Sequence, residues 1–298
     1  MANEPSEALR RVVEAMRANQ SIAAPDLSIE ERRAAMESMP TAPTPDDVVI
    51  EPTNAGGVPA RWISAPNARD DAVIVYYHGG GYVMGSLDTH EELMSRISRT
   101  CRARVLGVDY RLAPEDPFPA AVEDGLAAYR WALEQGFSAD RVMLGGDSAG
   151  GGLTLATLLS ARDAGVPMPA GAILFSAWTD LTASGESVTS RAGVDPMIPN
   201  GDVLIEMASH YHDDPSNPLV SPLLADLTGL APLLIQVGDA ELLLDDSTRL
   251  AQRAEGAGVA ATLQIWDEAP HVFQALGQLP ESQDALDKVG AFHAALVR

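Results

Sequence analysis

Gly145-Gly146-Asp147-Ser148-Ala149-Gly150 follows the apolar run Arg141-Val142-Met143-Leu144 and precedes Gly151 to Ser160, where Leu153, Leu155, Ala156, Leu158 and Leu159 recur at mostly helical spacing. A buried strand, a sharp turn and a helix in that order would lift the Ser148 hydroxyl off the edge of a sheet. Small residues at 146 and 150 are what such a turn requires, because its backbone is strained and a helix N-terminus must come close to it.

The segments around this turn repeat its strand-then-helix order. Continuous apolar runs at 72–77, 104–109, 141–144, 170–175, 232–237 and 261–266 alternate with helical patterns at 89–101, 120–135, 149–163, 245–257 and 283–297. Strands without apolar-polar alternation, separated by helices, predict an α/β fold with a mostly parallel central sheet covered on both faces. Ahead of it stand two short helices, 6–19 and 28–38, the first with an apolar stripe of Ala8, Val12, Val13 and Met16. A hairpin follows, pairing 48–51 with 58–64 around Asn54-Ala55-Gly56-Gly57. One interval breaks the rhythm: the long connection after Ser176 holds a single helical pattern, 201–213, and several prolines, as lids and binding loops do. The expected organisation is a cap made of 1–45 and an insertion at 183–215, over a core made of 46–182 and 216–298.

A serine hydroxyl reacts at neutral pH only with a base to take its proton, an acid to orient that base, and donors for the oxyanion that forms. His271 follows the last expected strand and is the best-placed base; His78 and His90 precede the serine, His210 and His212 fall in the insertion, and His293 is on the final helix. Asp239, Glu241, Asp245 and Asp246 follow the penultimate strand and compete for the acid, the last two being also suited to capping the next helix. His78-Gly79-Gly80-Gly81 directly follows the strand 72–77, which assigns the oxyanion donors to the amides of Gly80, Gly81 and Ala149, with His78 holding the loop. Position alone suggests Tyr82, Met84, Trp178, Met207, Tyr211, Val272 and Phe273 as substrate-binding residues.

Composition narrows the partners. A formal net charge of -22 would repel nucleic acid and anionic membranes and would not steer an anionic substrate inward, so a small neutral molecule is the expected partner. The single Cys101 excludes an intrachain disulfide and a thiolate metal cluster, and the polar, acidic start lacks a signal-peptide pattern, so a cytoplasmic location is expected. No Lys-Ser or Lys-Thr follows the glycines as a phosphate loop needs. His210, His212, Asp213 and Asp214 are too close in sequence to converge from one helix face on a metal.

Together the segments resemble the hormone-sensitive-lipase-like group of α/β-hydrolases, bacterial esterase family IV, over most of residues 46–298. The resemblance rests on His78-Gly79-Gly80-Gly81, on Gly146-Asp147-Ser148-Ala149-Gly150, and on Asp109-Tyr110-Arg111-Leu112-Ala113-Pro114-Glu115, a segment typical of the family whose arginine and acids tie loops near the site. The order serine, acid, histidine is that of the fold. Where the family usually carries Asp-Pro-Leu-x-Asp this chain reads Glu241-Leu242-Leu243-Leu244-Asp245, which implies Glu241 as the acid. The resemblance further implies hydrolysis of a small neutral carboxylic ester through an acyl-enzyme on Ser148, without metal or cofactor, under a two-part cap; homodimers are common in the group. The competing readings are an amidase or deacetylase with the same residues, and a small-molecule-binding relative that has lost turnover.

Overall fold

The computed structural model describes residues 5–18 and 27–297; the end of the first expected helix, residue 19, and the remainder of 1–4 and 19–26 in the expected cap segment lie outside the described residues. Eight strands form: β1 (Val49–Ala55), β2 (Val58–Ser64), β3 (Arg69–Tyr77), β4 (Ala103–Val108), β5 (Val142–Asp147), β6 (Gly171–Phe175), β7 (Leu233–Gly238) and β8 (Ala261–Trp266). They make one sheet in the order β1-β2-β4-β3-β5-β6-β7-β8. The β1–β2 and β2–β4 pairs are antiparallel and all the others parallel. The helices are α1 (Glu7–Ala18), α2 (Ile29–Glu37), α3 (Leu87–Cys101), α4 (Ala120–Glu134), α5 (Ala149–Asp163), α6 (Ser187–Ser190), α7 (Gly201–Tyr211), α8 (Leu244–Gly256) and α9 (Pro280–Leu296).

β3 shows why its apolar run is unbroken. Val73, Val75 and Tyr77 enter a core shared with α4, α5 and α8, while Ala72, Ile74 and Tyr76 enter a second core shared with α3 and α9. Each face of the strand is buried, so period-2 alternation has no reason to appear. β8 departs from the expectation of a sheet covered on both faces. It is an edge strand, only partly buried along its length, and Ile265 is 45% exposed.

Local chemistry moved several boundaries. α3 starts at Leu87 rather than 89 because Ser86 Oγ accepts from Thr89 N and Thr89 Oγ1 accepts from Ser86 N, a reciprocal cap. α9 starts at Pro280 rather than 283, since proline at the first turn costs no hydrogen bond and its φ is already helical. On α1 the buried pair is Leu9 and Val13, one turn apart, whereas Ala8 of the expected stripe is exposed.

The strand order positions the site. From β3 the chain goes to β4 on one side, then returns past β3 to β5 on the other, so the segments leaving the carboxyl ends of β3 and β5 diverge and open a crevice between them. Tyr77 pairs with Gly146 there, which sets His78–Gly81 beside Ser148.

Candidate active site

Ser148 connects β5 to α5 at φ 52 and ψ −123, a region that non-glycine residues enter at a cost of about 1–3 kcal/mol. The surroundings hold it there. Its amide donates to Phe175 O at 2.8 Å, and its carbonyl accepts from Gly151, Gly152 and Trp178 at 3.0, 3.1 and 2.9 Å. A Cβ at position 150 would lie 2.0 Å from Tyr77 O, so the residue two past the serine has to be glycine for α5 to abut β3.

Beside the serine, Gly80 adopts φ 122, and a Cβ there would lie 2.1 Å from Met84 O. Its carbonyl accepts from Val83 N and Met84 N, which bends the loop back on itself. Among the described residues the amides of Gly80, Gly81 and Ala149 have no hydrogen-bond acceptor. Asp147 braces the loop from below: its Oδ1 accepts from Tyr76 OH at 2.8 Å and from Gly79 N at 3.2 Å, and His90 Nε2 donates to its Oδ2 at 3.2 Å. His78 stacks on Tyr110 at 4.4 Å, and Tyr110 OH donates to His78 O at 2.8 Å. Burial, reinforced by neighbouring His90, pushes the His78 pKa down to about 4, so its ring is neutral.

The four acid candidates separate cleanly. Glu241 is fully buried, and His271 Nδ1 donates to its Oε2 at 2.7 Å. Its Oε1 accepts from Gly238 N at 2.6 Å and Ser176 Oγ at 2.8 Å. Asp239 turns away and accepts from Glu268 N at 2.7 Å in an exposed position. Asp245 and Asp246 do not cap α8: the first accepts from Ser187 N, and the second accepts from the amides of Thr179 and Asp180 at 2.7 and 2.8 Å, which ties α8 to the segment after β6. Burial pulls the His271 pKa down, but the hydrogen bond and charge of Glu241, with Asp195 and Asp147 adding to it, leave it above the ordinary value of 6.5.

Ser148 and His271 share the wall of a cavity of about 220 Å³ without a hydrogen bond between them. Gly80, Gly81, Met84, Trp178, Met207 and Val272 are also on that wall. Tyr82, Tyr211 and Phe273, expected there from position, are not on it and are buried at 1%, 1% and 0% exposure. Tyr82 and Tyr211 stack face to face at 3.9 Å behind the wall, and Phe273 packs into a core with Leu9, Val13 and Leu279, its ring 5.2 Å from Trp266. Aromatic rings this large gain more from burying both faces than one. His212 lies partly exposed in the α7 segment, its Nδ1 accepting from Asp214 N at 2.8 Å.

Sequence reasoning passed over several residues of the site. Ser176, one residue past β6, carried no motif, although serines at strand ends are ordinary loop residues. Asp195 in the insertion is 1% exposed and accepts from Met197 N, Ile198 N and Leu242 N. Met16, Met36, Met39 and Met197 join Met84 and Met207 on the cavity wall, bringing six of the chain's ten methionines to one surface from segments scattered over 190 residues.

The chain is similar to several known proteins. The α/β hydrolase fold family matches residues 74–275. An acetyl-hydrolase of Streptomyces hygroscopicus is 45% identical over 83% of this chain and 82% of its own length. An esterase of Acinetobacter venetianus is 36% identical over 84% and 83%. Among solved structures, an esterase from the bacterial hormone-sensitive lipase family is 47% identical with a TM-score of 0.93, all of both chains being covered. The chain belongs to the hormone-sensitive-lipase-like family of α/β-hydrolase esterases. EstE5, solved after soaking with p-nitrophenyl butyrate, is a further likeness at 45% identity and a TM-score of 0.92 over 97% of this chain and 98% of its own.

Within this family setting, the segment Asp109–Glu115 behaves as a tie. Arg111 forks onto Asp124 at the start of α4, and Glu115 accepts both arms of Arg33 from α2 at 2.7 Å. Arg33 also donates to Val83 O and Ala113 O, so the glycine loop, the tie and α2 are bound together by one guanidinium.

Proposed function

We propose that the protein is a carboxylesterase for short-chain or aryl esters, with Ser148 as nucleophile, His271 as general base and acid, Glu241 as the acid that orients it, and the amides of Gly80, Gly81 and Ala149 as the oxyanion hole. One observation carries this reading: a buried Glu241–His271 pair at 2.7 Å opens onto the cavity wall that also holds Ser148 and the unsatisfied glycine-loop amides. Nδ1 is committed to Glu241, which leaves Nε2 free to accept the Ser148 proton. As that proton leaves, Ser148 Oγ bonds to the ester carbonyl carbon and the carbonyl oxygen takes up charge facing the three amides, each lost donor costing about 2.7–4 kcal/mol. Collapse expels the alcohol, protonated by His271, and leaves an acyl-enzyme; water then attacks with His271 again as base and frees the acid.

The mostly apolar, methionine-rich wall favours a neutral acyl or aryl group over a charged one, and the likeness to a protein named acetyl-hydrolase supports a short acyl chain. Within 1–45 and 183–215 the described residues serve as the cap over those of the core, 46–182 and 216–298; Met16, Met36, Met197 and Met207, all from those two segments, line the cavity together with Ser148. Hydrolysis of p-nitrophenyl acetate and butyrate by wild type and by Ser148→Ala tests the assignment. Activity lost in the variant is expected, and retention at the wild-type rate by a folded Ser148→Ala would refute it. A matched amide run beside the ester separates esterase from amidase.

A further inference from the structure

Asp195 is a buried carboxylate that the chemistry just described does not use. It lies in the segment between β6 and β7, is 1% exposed, and among the described residues forms no ion pair. Three backbone amides satisfy it. Oδ1 accepts from Met197 N at 2.8 Å and Ile198 N at 3.1 Å, which folds the turn that puts both residues on the cavity wall. Oδ2 accepts from Leu242 N at 3.1 Å, and Leu242 is the residue after Glu241. A single side chain thereby joins the turn that walls the cavity to the loop that carries the acid.

Burying a carboxylate without a cation is costly, and Val or Leu in the same space would avoid the charge but leave the three amides without an acceptor. The charge has to be repaid by something the geometry provides, and the geometry provides a fixed distance between the 195–198 turn and the Glu241 loop. From its rest against Leu242 the constraint passes along the chain to Glu241 and through the 2.7 Å hydrogen bond to His271.

We propose that Asp195 is a positioning residue for ester hydrolysis, latching the wall of the cavity to the Glu241 loop so that His271 is held in line only while that wall is seated. This rests on the Ser148–His271–Glu241 assignment. The latch also adds a negative charge near His271. The charged groups that face the imidazole are Glu241, Asp195 and Asp147, and those that face Asp195 are His271 and Glu241, while Arg17 of α1 is held at Val194 O, one residue before it.

Asp195→Asn is the test. An amide has one acceptor where the carboxylate has two, so it can keep the turn or the Leu242 contact but not both. With p-nitrophenyl acetate, kcat is expected to fall about tenfold or more while KM stays within about threefold, and the acidic limb of the kcat profile to move to lower pH because His271 has lost a negative neighbour. In a Glu241→Ala background the same substitution is expected to cost less than twofold, since a residue that acts through Glu241 has nothing left to position. Equal losses in both backgrounds, or a fall in melting temperature with kcat and the pH limb unmoved, would reduce Asp195 to a structural role and overturn the proposal. Should the Asn variant not fold, Asp195→Glu keeps the charge and lengthens the arm: kcat lost with the limb in place supports the latch, and wild-type kcat overturns it. Wild-type enzyme inactive on the ester would instead sink the assignment on which the latch rests.

Discussion

Ser176 Oγ donates to Glu241 Oε1 at 2.8 Å and accepts from Val272 N at 3.0 Å, so one hydroxyl at the end of β6 joins the loop after β7 to the loop that carries His271. Removing it orphans one group and weakens the hold on another. Ser176→Ala leaves the Val272 amide without its partner and Glu241 with one donor fewer, both buried, for which about 1–3 kcal/mol of stability per unsatisfied group is the usual cost. A lower urea midpoint and a drop in kcat of about tenfold are expected, the latter from a less firmly held imidazole. Unchanged values for both would show the bridge to be incidental.

Glu241 and Asp239 are separated by the same geometry. Glu241→Ala removes the partner of His271 Nδ1 and is expected to lower kcat by about 10³–10⁴, the order seen when a triad acid is disabled. Asp239→Ala loses only a bond to Glu268 N at the surface and should stay within about twofold of wild type. Steady-state kinetics on one ester decides between them.

The pH dependence has a definite sign. Burial lowers the His271 pKa, but Glu241, Asp195 and Asp147 more than offset it, so the neutral base appears only above the ordinary value of 6.5, and kcat/KM should rise with pH through a midpoint above 6.5. Stability runs the other way. A histidine with a raised folded-state pKa contributes stability that is fully present below 6.5 and is lost as pH climbs through the raised value. The difference in unfolding free energy between wild type and His271→Ala should therefore shrink as pH rises, while activity grows; parallel trends would contradict the shift.

Two glycine substitutions should act in opposite directions. Gly150→Ala places a Cβ 2.0 Å from Tyr77 O, a main-chain atom that cannot step aside, and is expected to abolish activity and soluble expression. Gly256→Ala, at the last turn of α8, meets nothing within 4 Å and should stabilise by about 0.4–1 kcal/mol through lost freedom of the unfolded chain. Melting curves of the two variants check this.

The methionine wall predicts tolerance of varied acyl shapes. Thioethers on unbranched stems repack around a bulky or aromatic group more readily than leucine. Replacing Met36, Met39 and Met197 by leucine together should leave p-nitrophenyl acetate turnover within about twofold and lower kcat/KM on naphthoyl esters by about threefold to tenfold, the size expected if the bound ring loses one sulfur–aromatic contact of about 0.3–1.5 kcal/mol. An unaltered ratio between the two substrates would rule the wall out as the source of tolerance.

Much of this site is local in the chain and so was legible there. Gly146–Gly150 and His78–Gly81 encode their own geometry, because a backbone that must approach another chain or turn sharply demands glycine within a few residues. The continuous apolar runs marked a parallel sheet for a similar reason, the inner strands β3 to β7 having two buried faces. By contrast, the acid stayed open among four carboxylates until a family frame was applied, since strand-end loops carry acids for several purposes. Position did not separate Tyr82, Tyr211 and Phe273 from the cavity residues, because an aromatic near a reactive residue in sequence can equally turn its ring into the core.

Sequence alone determined the fold class and the serine elbow with its glycine loop, both of them set by short-range steric and hydrogen-bonding demands. Tertiary structure decided which carboxylate faces His271, that Ser176 and Asp195 brace it, and that methionines from distant segments make one wall. Those relationships depend on where chain segments far apart in sequence come to rest, and a side chain's direction across such a gap is set by packing, which no local pattern of residues records.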